Sequence, residues 1–378
     1  MRSFQEIKGH LGYIVNLKTE PLWGAHVSLQ RSFPFVKVSR LLRERFLTVR
    51  MDVINRCNLR CKMCYFSLDE VRSKPRVEMS EQVFERIAHD VFPVATQLIL
   101  SAGAEPLCAA HFPEMLELAG QYQIPHIAFF TNGMLLNEQN IPRIVRAGVN
   151  VMTVSFDGAT AATFEAIRRG AIFETVLEHI RLLQKTKVEL GKTTPEIHFG
   201  VVLMRSNIRE LPDILRLAKE LGVAKVTASH LVPYQELRTA EESLTHEPEL
   251  TNEYLDKARA TAQELGMAFD APPNFPPRGQ TEARPSAPPA RLECYWPWRE
   301  LLIRPDGTTH PCCYWYEDTS MGDFASQRFS AIWFGAKYRR LREELTTGAY
   351  RETCAKCPGM NPISQRADAS QEVQIVGS

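Results

Sequence analysis

The chain has 378 residues, 44% of them apolar, with 45 basic and 44 acidic side chains and a net charge of +1. That is enough for two or three domains with a substantial core, and the balanced charge argues against a dedicated nucleic-acid surface. No apolar run approaches the roughly 20 residues of a membrane span, and the N-terminal MRSFQEIKGHLGY lacks the apolar core of a secretory signal, so the chain reads as cytoplasmic.

Residues 1–46 read as an N-terminal extension. Within it FPFVKVSRLLRERF sets Phe35, Val38 and Leu42 on one helical face. Such a helix docks on its own protein; the alternative is contact with a membrane surface or a substrate. From 47 to 240 strand and helix patterns alternate. The strand FLTVRMDVI leads into a cysteine loop, and the helix SEQVFERIAHDVF opens on Ser80 as its cap. Five further strands follow in ATQLILSAG, HIAFFTNG, NVMTVSFDG, EIHFGVVLM and KVTASHLVP. Helices in HFPEMLELAGQYQ, NEQNIPRIVRAG, FETVLEHIRLLQKTK and ELPDILRLAKELG separate them.

Apolar strands crossed by amphipathic helices predict an α/β fold with a parallel sheet and right-handed crossovers. Six units fall short of an eight-fold barrel, so a partial barrel or an open sheet is expected. Either gathers ligands at the C-terminal ends of its strands, where the cysteine loop, SAGAEP, TNG and SFDG stand. A helix in TNEYLDKARATAQELG and a proline-rich linker occupy 241–290. A small α+β cysteine-bearing domain is expected over 291–365, and 366–378 read as a loose tail.

Nine cysteines in a cytoplasmic chain do not suggest a disulfide framework. Eight of them cluster, at 57, 61 and 64, at 294, 312 and 313, and at 354 and 357, while Cys108 stands alone. In INRCNLRCKMCY, Cys57, Cys61 and Cys64 supply three thiolates. Structural zinc closes on four ligands and iron–sulfur cubanes usually take four cysteines. Three leave one metal position open to a substrate or cofactor. A zinc site completed by a distant histidine or by Cys108 is the alternative.

Farther on, Cys294 and Cys312 flank RPDG, a hairpin turn signal that would bring them together across two strands. A helix in SAIWFGAKYRRLREELTTG then leads to CAKC, with Cys354 and Cys357. Four thiolates make a closed site, and by spacing alone a zinc ribbon is a fair reading. Cys313 is left over and reads as a buried thiol, and Cys108 as a core residue. Trp296, Trp298, Trp315 and Trp333 read as packing around the site.

Cys57-x3-Cys61-x2-Cys64 followed by Tyr65 resembles the signature of the radical S-adenosylmethionine superfamily. GAEP, residues 103–106, resembles that family's GGEP motif, with Ala104 in place of glycine. TNG, 131–133, and SFDG, 155–158, resemble its third- and fourth-strand motifs. The resemblance implies a partial (β/α)6 barrel. It also implies a [4Fe-4S] cluster held through three irons by the cysteines, with S-adenosylmethionine on the fourth. Reductive cleavage would give a 5′-deoxyadenosyl radical that abstracts a substrate hydrogen, the electron coming from a flavodoxin- or ferredoxin-type partner. Cofactor contacts are implied for Tyr65, Gly103, Glu105, Thr131, Asn132, Ser155, Asp157, Arg168 and Val202. Glu105 would accept from the cofactor's ammonium, Arg168 is a candidate for its carboxylate, and backbone from Gly200 to Val202 would flank the adenine. Ala104 fits only if its backbone stays in the ordinary region.

The C-terminal segment is similar to the SPASM and Twitch extensions of radical enzymes. Its five cysteines allow one auxiliary [4Fe-4S] cluster, on Cys294, Cys312, Cys354 and Cys357. The implied reaction is a two-electron oxidation, with the auxiliary cluster taking the second electron from a small hydroxyl- or amine-bearing substrate. The alternative is a peptide-modifying maturase, against which stands the short segment before the first strand. A zinc-stapled, non-catalytic binding protein is a third reading. No general base can be named. His230, Tyr234, Arg299 and His310 lie near strand ends or the auxiliary region, and each also reads as structural.

Overall fold

Six strands pair side by side in chain order, all parallel: β1 (Leu47–Met51), β2 (Ala95–Leu100), β3 (His126–Thr131), β4 (Val151–Ser155), β5 (Glu196–Leu203) and β6 (Lys225–His230). This is a computed structural model, in which residues 45–276 except 102 and 234, residues 294–355 except 316–318, and residue 357 are described. The N-terminal amphipathic segment, most of the proline-rich linker, Tyr234 and the tail lie outside these residues.

Alternation along the strands assigns their two faces. In β1, Val49 and Met51 are fully buried, whereas Thr48 and Arg50 are only half buried. In β4 and β5, Met152, Val154, Phe199 and Val201 are buried, and Thr153, Ser155, His198, Gly200 and Val202 lie on the opposite, open face. Phe130 of β3 is 41% exposed there.

The crossovers are helical: α1 (Glu81–Val91), α2 (Phe112–Gln121), α3 (Ile141–Arg146), α4 (Ala161–Ile167), α5 (Phe173–Glu189) and α6 (Leu211–Glu220). In α1 the buried set Phe84, Ile87, Ala88 and Val91 follows the helical repeat, as do Leu211, Ile214, Leu215 and Ala218 in α6. Ser80 caps α1, its hydroxyl accepting the Val83 N–H at 3.3 Å. Beneath the ends of β4 and β5, Phe156 stacks on Phe199 at 4.3 Å and meets Phe164 at 5.0 Å and Phe173 at 5.8 Å. This apolar floor carries the site. After α7 (Pro248–Glu264), β7 (Ala268–Asp270) joins β6 in parallel.

The cysteine-bearing C-terminal region is not a separate layer. Its strand β8 (Glu300–Ile303) pairs in parallel with β1, β9 (Thr308–His310) returns antiparallel, and β10 (Gly322–Asp323) follows, giving one ten-stranded sheet in the order β10-β9-β8-β1-β2-β3-β4-β5-β6-β7. The RPDG turn closes the hairpin as expected: Gly307, at φ 87, donates to Arg304 O at 2.9 Å. Cys294, however, is not on the first hairpin strand. It precedes a single helical turn, Trp296–Arg299, that leads into β8.

The single helix expected over 330–348 is two, α8 (Phe329–Trp333) and α9 (Ala336–Thr347). Gly335 is extended between them, and a Cβ there would stand 2.5 Å from Ala331 O, so the helix breaks where only glycine fits. Among the described residues no helix is long and apolar enough to cross a membrane.

Candidate active site

The cysteine loop leaves β1 at Asp52, whose N–H donates to Ile303 O of β8 at 2.9 Å and whose carboxylate accepts the Gly103 N–H at 2.9 Å. Leu59, Met63 and Phe66 anchor the loop in the core. Its middle is strapped to the segment after α4: Arg60 N–H donates to Arg169 O at 2.9 Å and Lys62 N–H to Ile167 O at 2.8 Å. These bonds flank Cys61, which is buried, while Cys57 and Cys64 are half buried. Leu59 N lies 3.4 Å and Asn132 Nδ2 3.8 Å from Cys57 Sγ. Arg168 Nη1 lies 3.9 Å from Cys61 Sγ. Burial pushes the Cys57 thiol up to about 12 and the Cys64 thiol to about 11, and raises Cys61 as well. At neutral pH such thiols give up their protons only to a metal.

The turn after β2 puts its unusual backbone at Ser101, with φ 71, and not at Ala104. Alanine therefore fits the second position of GAEP, as the ordinary backbone there requires. Ser101 is buried and its hydroxyl donates to Ala104 O. A Cβ on Gly103 would come within 3.1 Å of Phe66 and 3.2 Å of the Tyr65 hydroxyl, so glycine lets Tyr65 close over this loop. Glu105 follows, 3% exposed. Its carboxylate accepts Thr131 Oγ1 at 2.8 Å and the backbone N–H of Asn132 at 2.7 Å. Burial nevertheless raises its pKa to about 7, against those bonds.

Asp157 and Arg168 form the other charged element. Both are buried, with Arg168 Nη2 2.6 Å from Asp157 Oδ2. The Val202 N–H donates to Asp157 Oδ1 at 2.7 Å. Burial works against the Arg168 charge, but Asp157, Cys61 and Cys64 outweigh it and hold its pKa above the ordinary value. Arg168 Nε is buried with no hydrogen-bond partner. Sequence reasoning missed Asn207, whose Nδ2 donates to Asp157 O at 3.0 Å and to Val202 O at 2.9 Å. It also missed Asn58, whose Oδ1 accepts Asn132 Nδ2 at 2.8 Å. Only their position in loops that follow β1 and β5 could have signalled either. The Val202 backbone is thus committed to Asp157 and Asn207, which leaves its side chain for any adenine contact. Ser155 ends β4 half buried on the open face.

At the other end of the chain Cys294, Cys312, Cys354 and Cys357 line one small apolar cavity with Tyr314 and Trp315. Burial pushes Cys294 up to about 11 and raises Cys312 further. Cys313 is a correction: it is exposed, not buried. It follows Cys312 in a turn, close enough to Glu300 and Arg50 to feel their charges. Cys108 is half buried and packs against the core, with Sγ 4.0 Å from Asn58 Oδ1. Of the four tryptophans only Trp315 lines the cysteine cavity. Trp333 packs instead on Phe329 at 5.6 Å and Phe46 at 6.2 Å. Among the described residues no three His, Cys, Asp or Glu side chains are gathered tightly enough for one metal ion; a cubane binds each sulfur through a different iron. His230 stacks on Phe275 at 4.8 Å, and burial lowers His230 and His310 to about 4, so both are neutral at pH 7. Arg299 is exposed.

Residues 51–218 match the family model described as the radical SAM superfamily, and residues 294–358 match one described as an iron-sulfur cluster-binding domain, SPASM. The chain belongs to the radical SAM superfamily. Its radical SAM and SPASM regions bring a [4Fe-4S] cluster, S-adenosylmethionine and auxiliary iron–sulfur binding. The residues present suit such groups: buried thiols that need a metal to ionise, and a buried arginine with a donor to spare.

An AdoMet-dependent heme synthase of Oleidesulfovibrio alaskensis is 27% identical to this radical SAM chain over 329 residues, 82% of this chain and 79% of the relative. A tungsten-containing aldehyde ferredoxin oxidoreductase cofactor-modifying protein of Pyrococcus furiosus is 28% identical over 48% of this chain and 51% of its own. A GTP 3′,8-cyclase of Synechocystis sp. is 26% identical over 46% and 51%. The chain thus spans about half the length of the last two. Among solved structures, Streptococcus suis SuiB bound to S-adenosylmethionine matches with a TM-score of 0.64 at 14% identity, over 98% of this chain and 87% of SuiB. Native anSMEcpe with bound AdoMet matches at 0.60 and 16%, over 87% and 93%. These two likenesses establish the fold.

Proposed function

We propose that this radical SAM enzyme oxidises a non-nucleic-acid substrate by two electrons, with one auxiliary cluster as electron acceptor. In this reading Cys57, Cys61 and Cys64 hold the cluster that meets S-adenosylmethionine, and Cys294, Cys312, Cys354 and Cys357 hold the auxiliary one. When bound, these groups supply a hydrogen-abstracting radical and a one-electron sink. Glu105, fixed by Thr131 and Asn132, accepts the cofactor's ammonium. Tyr65 and Gly103 shape the wall beside it. Ser155 and the Val202 side chain face the nucleoside, and Arg168 offers Nε to the carboxylate. A flavodoxin- or ferredoxin-type protein supplies the electron. Residues 47–240 form the radical core and 291–365 the auxiliary region, the two sharing one sheet.

The observation that carries the proposal is the pairing of β8 with β1, from Thr48 opposite Glu300 to Met51 opposite Ile303. It sets the hairpin that leads to Cys312 beside the strand that feeds the cysteine loop. The ion pair between Arg50 and Glu300, 3.0 Å long, joins the two strands on the open face. A substrate lying on that face would touch strands that lead to both thiol sites.

The test is Cys357→Ala in a substrate screen. The variant should still form 5′-deoxyadenosine but release no product two hydrogens lighter than the substrate. Oxidised product at the wild-type rate would overturn the electron-acceptor role. A peptide substrate is the second reading. SuiB is also solved with precursor peptide SuiA, and anSMEcpe with a Cp18Cys peptide, and the exposed Phe130 would suit a peptide side chain. The curated relatives carry names with quite different substrates, so the chemistry of the open face, not similarity, must decide.

A further inference from the structure

The sulfurs of the open site are not equivalent. Cys57 receives neutral N–H groups, from Leu59 and from Asn132. Cys61 is approached by a cation, Arg168 Nη1 at 3.9 Å. That cation is held from three sides. Asp157, fully buried, grips it at 2.6 Å. Asp157 is fixed in turn by the Val202 N–H at 2.7 Å, and Asn207 pins the Asp157 and Val202 carbonyls. Arg168 also ends α4, its own N–H donating to Phe164 O at 2.7 Å, and its backbone neighbours are bonded to Arg60 and Lys62 on either side of Cys61. A neutral Asp157 would leave a bare buried cation, so the pair is ionised. Its geometry delivers a fixed positive charge to one thiolate, with a fixed negative charge behind it.

We propose that Arg168 is a positioning residue that sets the reduction potential of the cluster held by Cys57, Cys61 and Cys64, acting through the Cys61 sulfur, and that Asp157 is its counterweight. Reduction adds negative charge to the cluster. A cation at the thiolate favours that state, and an anion behind it opposes it. Charge and hydrogen bonds at the sulfurs are established levers on such potentials. This rests on the cysteine loop being the cluster site and is independent of which reaction the enzyme performs.

The consequence is a pair of opposite signs. Arg168→Gln should lower the potential of the open cluster, and Asp157→Asn should raise it. A merely structural ion pair would move both variants the same way, through a loosened loop. The test uses the reconstituted full-length protein without substrate. Reduced-cluster EPR is read at poised potentials, and the open cluster is identified by its change on adding S-adenosylmethionine. Arg168→Gln is expected to cut the reduced-to-oxidised ratio at fixed potential about tenfold, equivalent to ~59 mV for one electron. Asp157→Asn should raise that ratio several-fold. Shifts of the same sign, or none with the iron retained, would overturn the proposal. If Arg168→Gln loses its iron, Arg168→Lys decides. A ratio within threefold of wild type upholds the role of the charge. A tenfold fall, or loss of iron there too, assigns the residue to folding alone. Since no turnover is measured, failure here leaves the oxidation reading untouched.

Discussion

Glu105 offers a test that needs no cofactor. Its carboxyl is fully enclosed, and burial raises its pKa from the ordinary 4.5 to about 7. A carboxyl that holds its proton more tightly when folded contributes its stability below the unfolded pKa and loses it as pH rises through the folded one. The shift is about 2.5 units, and at about 1.4 kcal/mol per unit the loss between pH 4.5 and 7 is about 3 kcal/mol. Glu105→Gln cannot ionise. It suffers a pH-independent cost instead, of about 1–3 kcal/mol, because one amide arm turns a donor toward the Thr131 hydroxyl or the Asn132 N–H. Urea unfolding of cofactor-free wild type and variant at pH 5 and pH 8 separates the two effects. Every other titrating group is common to both proteins and cancels. Wild type should lose about 3 kcal/mol more than the variant between the two pH values. Equal losses would show that Glu105 is not held as a buried, proton-retaining carboxyl.

Three further outcomes follow from the geometry. Cys61→Ala should abolish 5′-deoxyadenosine formation, measured by chromatography after anaerobic reduction; formation at the normal rate would contradict the role of the loop. Cys313→Ser should leave iron per chain unchanged by colorimetric assay, since that thiol is exposed and does not line the cysteine cavity, and a loss of iron would make it a ligand. Gly120→Ala should destabilise the fold by about 1–3 kcal/mol in thermal or urea unfolding, because its Cβ would lie 2.2 Å from Ala147 O; an unchanged midpoint would mean that α2 can move away from the segment after α3.

The six parallel strands were legible because each is a short apolar run ended by turn residues and followed by a helical repeat. Ser80 and the RPDG turn were legible because caps and tight turns depend on a few adjacent residues. Cys57, Cys61 and Cys64 were legible for the same reason. The pairing of β8 with β1 was not, since it joins residues about 250 positions apart and leaves no local periodicity. Nor was the break at Gly335, where a helical pattern runs on either side and one glycine interrupts it. Cys313 was misplaced because adjacency to Cys312 says nothing about which way a turn directs its side chains. Asp157 was singled out for the cofactor, yet its carboxylate is committed to Arg168 and Val202. A motif names the residue, and only the fold shows what it holds.

The most direct test of the account is metal content with EPR. The protein is reconstituted anaerobically, iron, sulfide and zinc per chain are determined, and the reduced protein is examined with and without S-adenosylmethionine. The account predicts about eight irons, in two [4Fe-4S] clusters, with one signal altered by the cofactor and one indifferent to it. About four irons with one zinc would remove the auxiliary cluster and with it the proposed electron acceptor. Zinc alone, with no signal that responds to S-adenosylmethionine, would contradict the radical chemistry itself.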